Sequence, residues 1–145
     1  MDYIHTVQYY ETDKMGITHH SNYIRWMEEA RVSFLSGIGW DYTRLEAMGI
    51  VSPVISVSCD FKHPTTFSDK VSISITVREF RGVTLYLSYR MRNQDGIEVC
   101  VGTSSHAFLN AEGRPIRIKR NYPEFYDVLN TLAETNNAAK RKTSV

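Results

Sequence analysis

The residues best suited to chemistry lie in a polar segment, Glu11 to His20, just before an amphipathic stretch. Asp13 supplies a carboxylate, and Gly16 permits a backbone conformation or close approach that a side chain would obstruct. The segment leads into a predicted helix N-terminus, where unpaired backbone N–H groups and the helix dipole stabilise negative charge. A carboxylate beside such amides suits addition to a carbonyl, by direct attack or by deprotonating water. An aspartate in a polar loop also suits a simple turn, and both interpretations fit these residues.

Motifs for several other chemistries are missing from the sequence. It has no Gly-x-Ser-x-Gly or phosphate-loop motif, and Gly37-Ile38-Gly39 lacks the third glycine of a dinucleotide site. The five histidines form no His-Glu-x-x-His pattern, and two cysteines are too few for a four-thiolate zinc site. These absences argue against a motif-based zinc site and a dinucleotide site, and we expect Cys59 and Cys100 to be free thiols.

The length and composition are typical of one globular domain. The 145 residues are 42% hydrophobic and 23% charged, with a formal net charge of +1. That balance gives no reason to expect a nucleic-acid ligand. No apolar run approaches the roughly 18 residues of a membrane span, and the first residues do not resemble a signal peptide. We predict a cytoplasmic protein with one domain over residues 1–134 and a polar, frayed tail over residues 135–145.

Two patterns predict the elements that position the loop. Ser21 is a candidate N-cap for an amphipathic helix over residues 22–36. A first strand is expected within residues 2–10, and from residue 51 to 109 apolar and polar residues alternate as in half-buried strands. Such a meander needs a cover for its apolar face, and the helix over residues 22–36 is long enough to provide it. We predict an α+β fold in which a long central helix is wrapped by a curved antiparallel sheet of about five strands.

The loop and the helix also carry a family resemblance. The loop and helix start read Tyr10-Glu11-Thr12-Asp13-x-x-Gly16-Ile17-x-x-His20-Ser21-Asn22-Tyr23-Ile24-x-Trp26, followed by Glu29-Ala30-Arg31. This run resembles the signature of hot-dog-fold acyl-CoA thioesterases, in the 4-hydroxybenzoyl-CoA thioesterase branch. The resemblance implies the hot-dog fold and hydrolysis of an acyl-CoA thioester to a carboxylic acid and CoA, without a cofactor. It also implies a homodimer or homotetramer with active sites between subunits.

The resemblance implies roles for individual residues. Asp13 matches the catalytic aspartate, as nucleophile or as general base for water. His20 matches the position whose backbone N–H polarises the thioester carbonyl. The positions implied to contact or support the acyl substrate are Gly16, Asn22, Tyr23 and Met27. The basic residues nominated by region for the phosphates of CoA are Arg114, Arg117, Lys119 and Arg120.

Two other functions are compatible with the expected fold. Hot-dog hydratases pair an aspartate with a histidine across four intervening residues, whereas five residues separate Asp13 from His19 and six separate it from His20. That spacing argues against an enoyl- or hydroxyacyl-thioester hydratase. A non-catalytic acyl-thioester binding module would be favoured if Asp13 were absent. We therefore expect a thioesterase, acting on acyl-CoA or on an acyl carrier protein thioester.

Overall fold

A five-stranded antiparallel sheet forms the framework of the chain in the computed structural model, which describes residues 2–143. The strands are β1 (Tyr3–Thr6), β2 (Val54–Phe61), β3 (Lys70–Phe80), β4 (Thr84–Arg92) and β5 (Glu98–Ala107). The helices are α1 (Ser21–Gly37), α2 (Tyr42–Ala47), α3 (Ile118–Asn121) and α4 (Pro123–Thr143). The strand order across the sheet is β1-β3-β4-β5-β2, which leaves β1 and β2 at the two edges. The predicted α+β architecture, a long helix on an antiparallel sheet of about five strands, is confirmed, and α4 adds a second long helix of 21 residues.

Helix α1 packs on the sheet through one apolar face. Tyr23, Trp26, Met27 and Ala30 recur at helical spacing and are all buried. The helix begins one residue earlier than predicted, with Ser21 as its first residue and His20 at the N-cap position. Ser21 is therefore not the N-cap, and its own backbone N–H donates to His19 Nδ1 at 3.2 Å. The His19 imidazole satisfies one of the N–H groups that a helix start leaves unpaired.

The first strand is shorter than the sequence predicts. β1 ends at Thr6, and its pairing with β3 aligns Tyr3 with Ile73 and Thr6 with Lys70. Val7 still contacts the start of β3 by donating its N–H to Asp69 O at 2.8 Å. The chain then forms a 3-10 turn over Tyr9–Glu11. This turn brings the chain from the sheet edge to the polar loop.

Edge strand β2 carries an apolar face that α1 covers at one end only. Met27 and Tyr23 of α1 contact Cys59 and Phe61. Towards the other end of β2, Ile55 is 58% exposed and Val57 40% exposed. The alternation of residues 51–61 predicts the strand correctly, but within one chain much of its apolar face stays open.

Helix α4 closes the far end of the core. Phe125 stacks on Trp40, with ring centroids 4.7 Å apart, and meets Phe108 edge-on at 5.4 Å. The frayed tail expected over residues 135–145 is helical as far as Thr143, and the last two residues lie outside the described part of the chain. Alanine, lysine and arginine favour helix, and cations near a helix C-terminus are stabilising. No helix within residues 2–143 has the length and apolar character to cross a membrane.

Candidate functional site

The loop that precedes α1 is tightly closed by its own backbone. Asp13 N donates to Ile17 O at 2.9 Å, and Gly16 N donates to Asp13 O at 2.9 Å. Gly16 has a φ of +80°, so the conformational freedom predicted for it is used. Thr18 N donates to Thr65 O at 2.8 Å, which ties the loop to the segment before β3. The loop is therefore an ordered structure held against the sheet.

Asp13 both shapes this loop and presents a carboxylate to solvent. Its side chain is exposed, and one oxygen, Oδ1, accepts a hydrogen bond from Met15 N at 2.8 Å. Within the described chain the second oxygen, Oδ2, has no hydrogen-bond partner. The two interpretations left open by the sequence, a turn former and a chemical group, are therefore compatible at this residue.

At the N-terminus of α1, the His20 N–H is a backbone donor with no acceptor in the described part of the chain. Ser21 N donates to His19 Nδ1, and Asn22 N and Tyr23 N donate to His19 O and His20 O at 3.1 and 3.3 Å. His20 N has no acceptor among residues 2–143. This N–H stands at the positive end of a 17-residue helix, where it is suited to polarise a carbonyl oxygen.

The two histidines at this terminus differ in what their rings do. His19 Nδ1 accepts from a backbone N–H, so the proton of the neutral ring is on Nε2. The His20 ring stacks on His19 with centroids 4.3 Å apart and lies 6.3 Å from the Phe61 ring. His20 is exposed, and its imidazole has no hydrogen bond to the described residues. Its backbone N–H, rather than its ring, is the group that the local structure leaves available.

Three of the predicted substrate positions are buried around the helix start. Asn22 Nδ2 donates to Glu11 O at 3.0 Å and to His19 O at 3.1 Å, so this side chain holds the loop. Tyr23 bonds through its hydroxyl to Thr65 Oγ1 at 3.0 Å, and burial raises the pKa of this phenol. Met27 is 1% exposed and lies one turn farther along α1. These side chains support the site, and the more exposed Phe61 lies beside them.

Sequence reasoning missed the buried acid at the base of the loop, Glu11. Its carboxylate accepts hydrogen bonds from Gln8 N at 2.8 Å, Trp26 Nε1 at 2.7 Å and His5 Nε2 at 2.8 Å. Burial raises the pKa of Glu11, but these hydrogen bonds outweigh burial and hold the pKa below its usual value. The only sequence feature that points to Glu11 is its place within the loop motif. Its burial could not be read from that motif, because its hydrogen-bond donors include His5 of β1 and Trp26 of α1.

The basic residues nominated from the sequence are only partly grouped. Arg117, Lys119 and Arg120 line a groove of about 600 Å³. Arg81, which is not among the residues predicted to bind the CoA phosphates, lines the same groove. Arg114 is not among the lining residues and lies in the turn that its own N–H closes with the Asn110 side chain at 2.9 Å. The four residues Arg81, Arg117, Lys119 and Arg120 are called the basic groove below.

The basic groove and the Asp13 loop lie at opposite ends of β3 within one chain. The loop adjoins the segment that leads into Lys70, whereas α3 contacts the β3–β4 turn by donating Ile118 N to Gly82 O at 3.1 Å. An 11-residue strand spans about 35 Å. Among residues 2–143, no group of three or more histidine, cysteine, aspartate or glutamate side chains is arranged to hold a metal ion.

Comparison with known proteins identifies relatives over most of the chain. A family model described as the thioesterase-like superfamily matches residues 7–138. The Bacillus subtilis protein named "Putative acyl-CoA thioesterase YneP" is 30% identical over 121 residues, which are 83% of this chain and 88% of that protein. A 1,4-dihydroxy-2-naphthoyl-CoA hydrolase of Thermosynechococcus vestitus is 25% identical over 114 residues, 78% of each protein. The crystal structure of a DHNA-CoA thioesterase from Staphylococcus aureus aligns with a TM-score of 0.85 and 26% identity, covering 99% of this chain and 94% of that one.

Proposed function

The chain belongs to the thioesterase-like superfamily, and on that premise we propose that this thioester hydrolase converts an acyl-CoA to a carboxylic acid and free CoA. Asp13 acts as nucleophile or as general base for water, and His20 N–H polarises the thioester carbonyl. The observation that carries the proposal is the single unpaired N–H at the start of α1, next to a loop that presents the Asp13 carboxylate. The relatives' names support an acyl-CoA substrate.

Two routes lead to the same products. In one, an Asp13 oxygen attacks the carbonyl carbon, the C–S bond breaks, and water hydrolyses the resulting anhydride to restore the carboxylate. In the other, Asp13 takes a proton from a water molecule while the oxygen of that water attacks the carbonyl carbon. In both routes the carbonyl oxygen becomes negative, and His20 N–H stabilises that charge. The sulfur leaves as a thiolate, which is a good leaving group and takes its proton from solvent.

The first test compares thiol release by the wild-type protein with Asp13→Asn. The substrate panel contains alkyl- and aryl-CoA esters and one acyl carrier protein thioester. We expect kcat to fall by about 10²-fold or more in the variant, because a positioned base or nucleophile contributes at least that much. Asp95→Asn is the matched control, since Asp95 is an exposed turn aspartate outside the site. Equal rates in wild type and Asp13→Asn would refute the role of Asp13.

We further propose a homodimer, alone or within a homotetramer, that pairs through β2. The open apolar face of this edge strand, with Ile55 58% exposed, suits a second copy of the chain, because unpaired edges with apolar residues favour strand pairing. Ile55→Lys is expected to lower the molar mass measured by light scattering. Val32→Lys places the same charge on an exposed apolar residue of α1 and is expected to leave the mass unchanged. An Ile55→Lys protein with the wild-type mass would exclude this surface.

We assign the CoA phosphates to the basic groove of the partner subunit. The groove is about 35 Å from the Asp13 loop of its own chain along β3. We therefore assign the phosphates of a CoA bound at that loop to the groove of a second subunit rather than to the groove of the same chain. Arg117→Gln with Arg120→Gln is expected to raise KM for acyl-CoA but not for the acyl-pantetheine that lacks the nucleotide. Arg114→Gln is the comparison. A raised KM in this variant alone would refute the basic groove as the phosphate site and would assign the phosphates to the turn that contains Arg114.

The predicted cytoplasmic location stays a prediction for cell fractionation to test.

A further inference from the structure

His5 of β1 lies between two carboxylates. Its Nε2 is 2.8 Å from Glu11 Oε1, and its Nδ1 is 2.9 Å from Glu29 Oε2. A neutral imidazole has one N–H and one lone pair, so it cannot donate to both acids. Only the imidazolium form has an N–H on both ring nitrogens; the Nε2–Glu11 contact is then a charge-assisted hydrogen bond and the Nδ1–Glu29 contact an ion pair. His5 is 9% exposed and Glu11 5% exposed, so little solvent reaches the His5–Glu11 contact, whereas the Glu29 side chain is 43% exposed.

Glu11 connects this ion cluster to the proposed active site through its main chain. Its carbonyl oxygen accepts from His19 N at 2.8 Å and from Asn22 Nδ2 at 3.0 Å. His19 and Asn22 flank His20, whose N–H is the proposed carbonyl donor. Asp13 follows Glu11 by two residues. The Glu11 carbonyl therefore holds the residues beside His20, Asp13 lies two residues along the same chain, and His5 contacts the Glu11 side chain.

We propose that His5 is a positioning residue: as an imidazolium between Glu11 and Glu29, it fixes the backbone that carries Asp13 and His20. The proposal rests on the function proposed above for that loop. A neutral His5 would direct a ring-nitrogen lone pair at one of the two carboxylates. The repulsion would break the contact between His5 and that carboxylate. Movement of Glu11 would then shift the acceptor shared by His19 and Asn22. Displacements of about 1 Å at a reacting group lower rates by about 10²-fold.

The groups that face His5 come from each element packed against it. The 3-10 turn supplies Glu11, α1 supplies Glu29 and the Trp26 ring, whose centroid is 4.5 Å from that of His5, and β3 supplies the apolar Val71. Two acids and no second cation therefore surround the ring in the described contacts. Both ring nitrogens of His5 therefore face carboxylate oxygens.

The protonation state is tested without reference to activity. Long-range proton–nitrogen correlation spectra of histidine-labelled protein distinguish a ring with two N–H groups from either neutral tautomer. At neutral pH we expect one imidazolium pattern that disappears in His5→Gln and persists in His63→Gln, which removes an exposed histidine. A neutral pattern assigned to His5 would overturn the proposal.

The positioning role is tested by separating kcat from KM. We expect His5→Gln to lower kcat by about 10- to 10²-fold and to change KM by less than about twofold. His5→Lys is expected to recover much of the loss, because an ammonium group donates to both acids. A folded His5→Gln with wild-type kcat, or a His5→Lys no better than His5→Gln, would contradict the role.

A further variant keeps the test decisive if His5→Gln does not fold. The Glu29 side chain is 43% exposed, so Glu29→Gln is expected to fold. It should weaken the imidazolium pattern and lower kcat at an unchanged KM, whereas an unchanged spectrum and kcat would contradict the proposal. Absence of hydrolysis by the wild-type protein on every thioester would refute the proposed function while the spectra still report on His5. A neutral His5 in an active enzyme would refute only the positioning role.

Discussion

Acidification is expected to destabilise this protein through His106, a buried histidine at the end of a polar chain inside the fold. Arg31 NH1 donates to Tyr89 Oη at 3.3 Å, the Tyr89 hydroxyl meets Ser104 Oγ at 2.6 Å, and Ser104 Oγ meets His106 Nε2 at 2.6 Å. Arginine only donates, which leaves the Tyr89 proton for Ser104. His106 is 1% exposed, and its Nδ1 has no partner among the described residues.

The size of the effect follows from the protonation of this ring. Burial, and then the nearby positive charge of Arg31, lower the pKa of His106 from 6.5 to about 4. Between these two values the unfolded chain binds a proton that the folded chain does not. Stability therefore falls as the pH drops through this window, and it is recovered as the pH rises. Integrated from pH 7 to 4, the protonation of His106 lowers the free energy of unfolding by about 3 kcal/mol.

The assay is denaturant unfolding of wild type and His106→Gln at a series of pH values and one fixed protein concentration. Glutamine does not titrate in this range, so we expect the variant to lose about 3 kcal/mol less than wild type between pH 7 and 4. His63→Gln is the matched control and should keep the wild-type slope, because His63 is exposed. A His106→Gln protein with the wild-type pH slope would refute the reasoning.

Three further substitutions test backbone and buried contacts. Gly102→Ala would place its Cβ 2.6 Å from Ser58 O on the neighbouring strand, so we expect a loss of about 1–3 kcal/mol in denaturant unfolding; an unchanged midpoint would contradict this close approach. Gly16→Ala forces alanine to a φ of +80°, so we expect the free energy of unfolding to fall by about 1–2 kcal/mol and kcat for thioester hydrolysis to fall as well. An unchanged kcat would show that the loop does not position the reacting groups. Trp26→Phe removes the Nε1 donor to Glu11 and should cost about 1.5–3 kcal/mol in thermal unfolding, and a loss below this range would mean that water replaces the donor.

Local patterns were sufficient to predict most of the secondary structure. The α1 residues repeat at helical spacing, and β3 to β5 alternate with period two, so each element was found to within a few residues. The family resemblance of the loop motif singled out Asp13 and His20, and their roles stay a prediction. Errors occurred where distant residues decide. β1 ends at Thr6 because the chain enters the 3-10 turn at Tyr9–Glu11 soon afterwards, and His20 rather than Ser21 stands at the N-cap position.

The candidate site is less predictable than the elements that surround it. Nothing in the local pattern indicates that Glu11 is buried, since its donors come from β1, the 3-10 turn and α1. The basic residues near the C-terminus were nominated by region, and a match by region cannot show that Arg81 joins them while Arg114 does not. Contacts of this kind depend on which strands and turns become neighbours.

By itself, the sequence determined the order of the elements and the type of fold, because these follow from hydrophobic period and short-range motifs, and its family resemblance supplied the candidates for thioester chemistry. The tertiary structure alone decided which backbone N–H at the helix start stays unpaired, which acids surround His5, and that the basic groove lies far from Asp13 in the same chain. The physical reason is the same in each case. Hydrogen bonding and burial are properties of atoms brought together from distant positions, and they exist only after the sheet and the helix have packed.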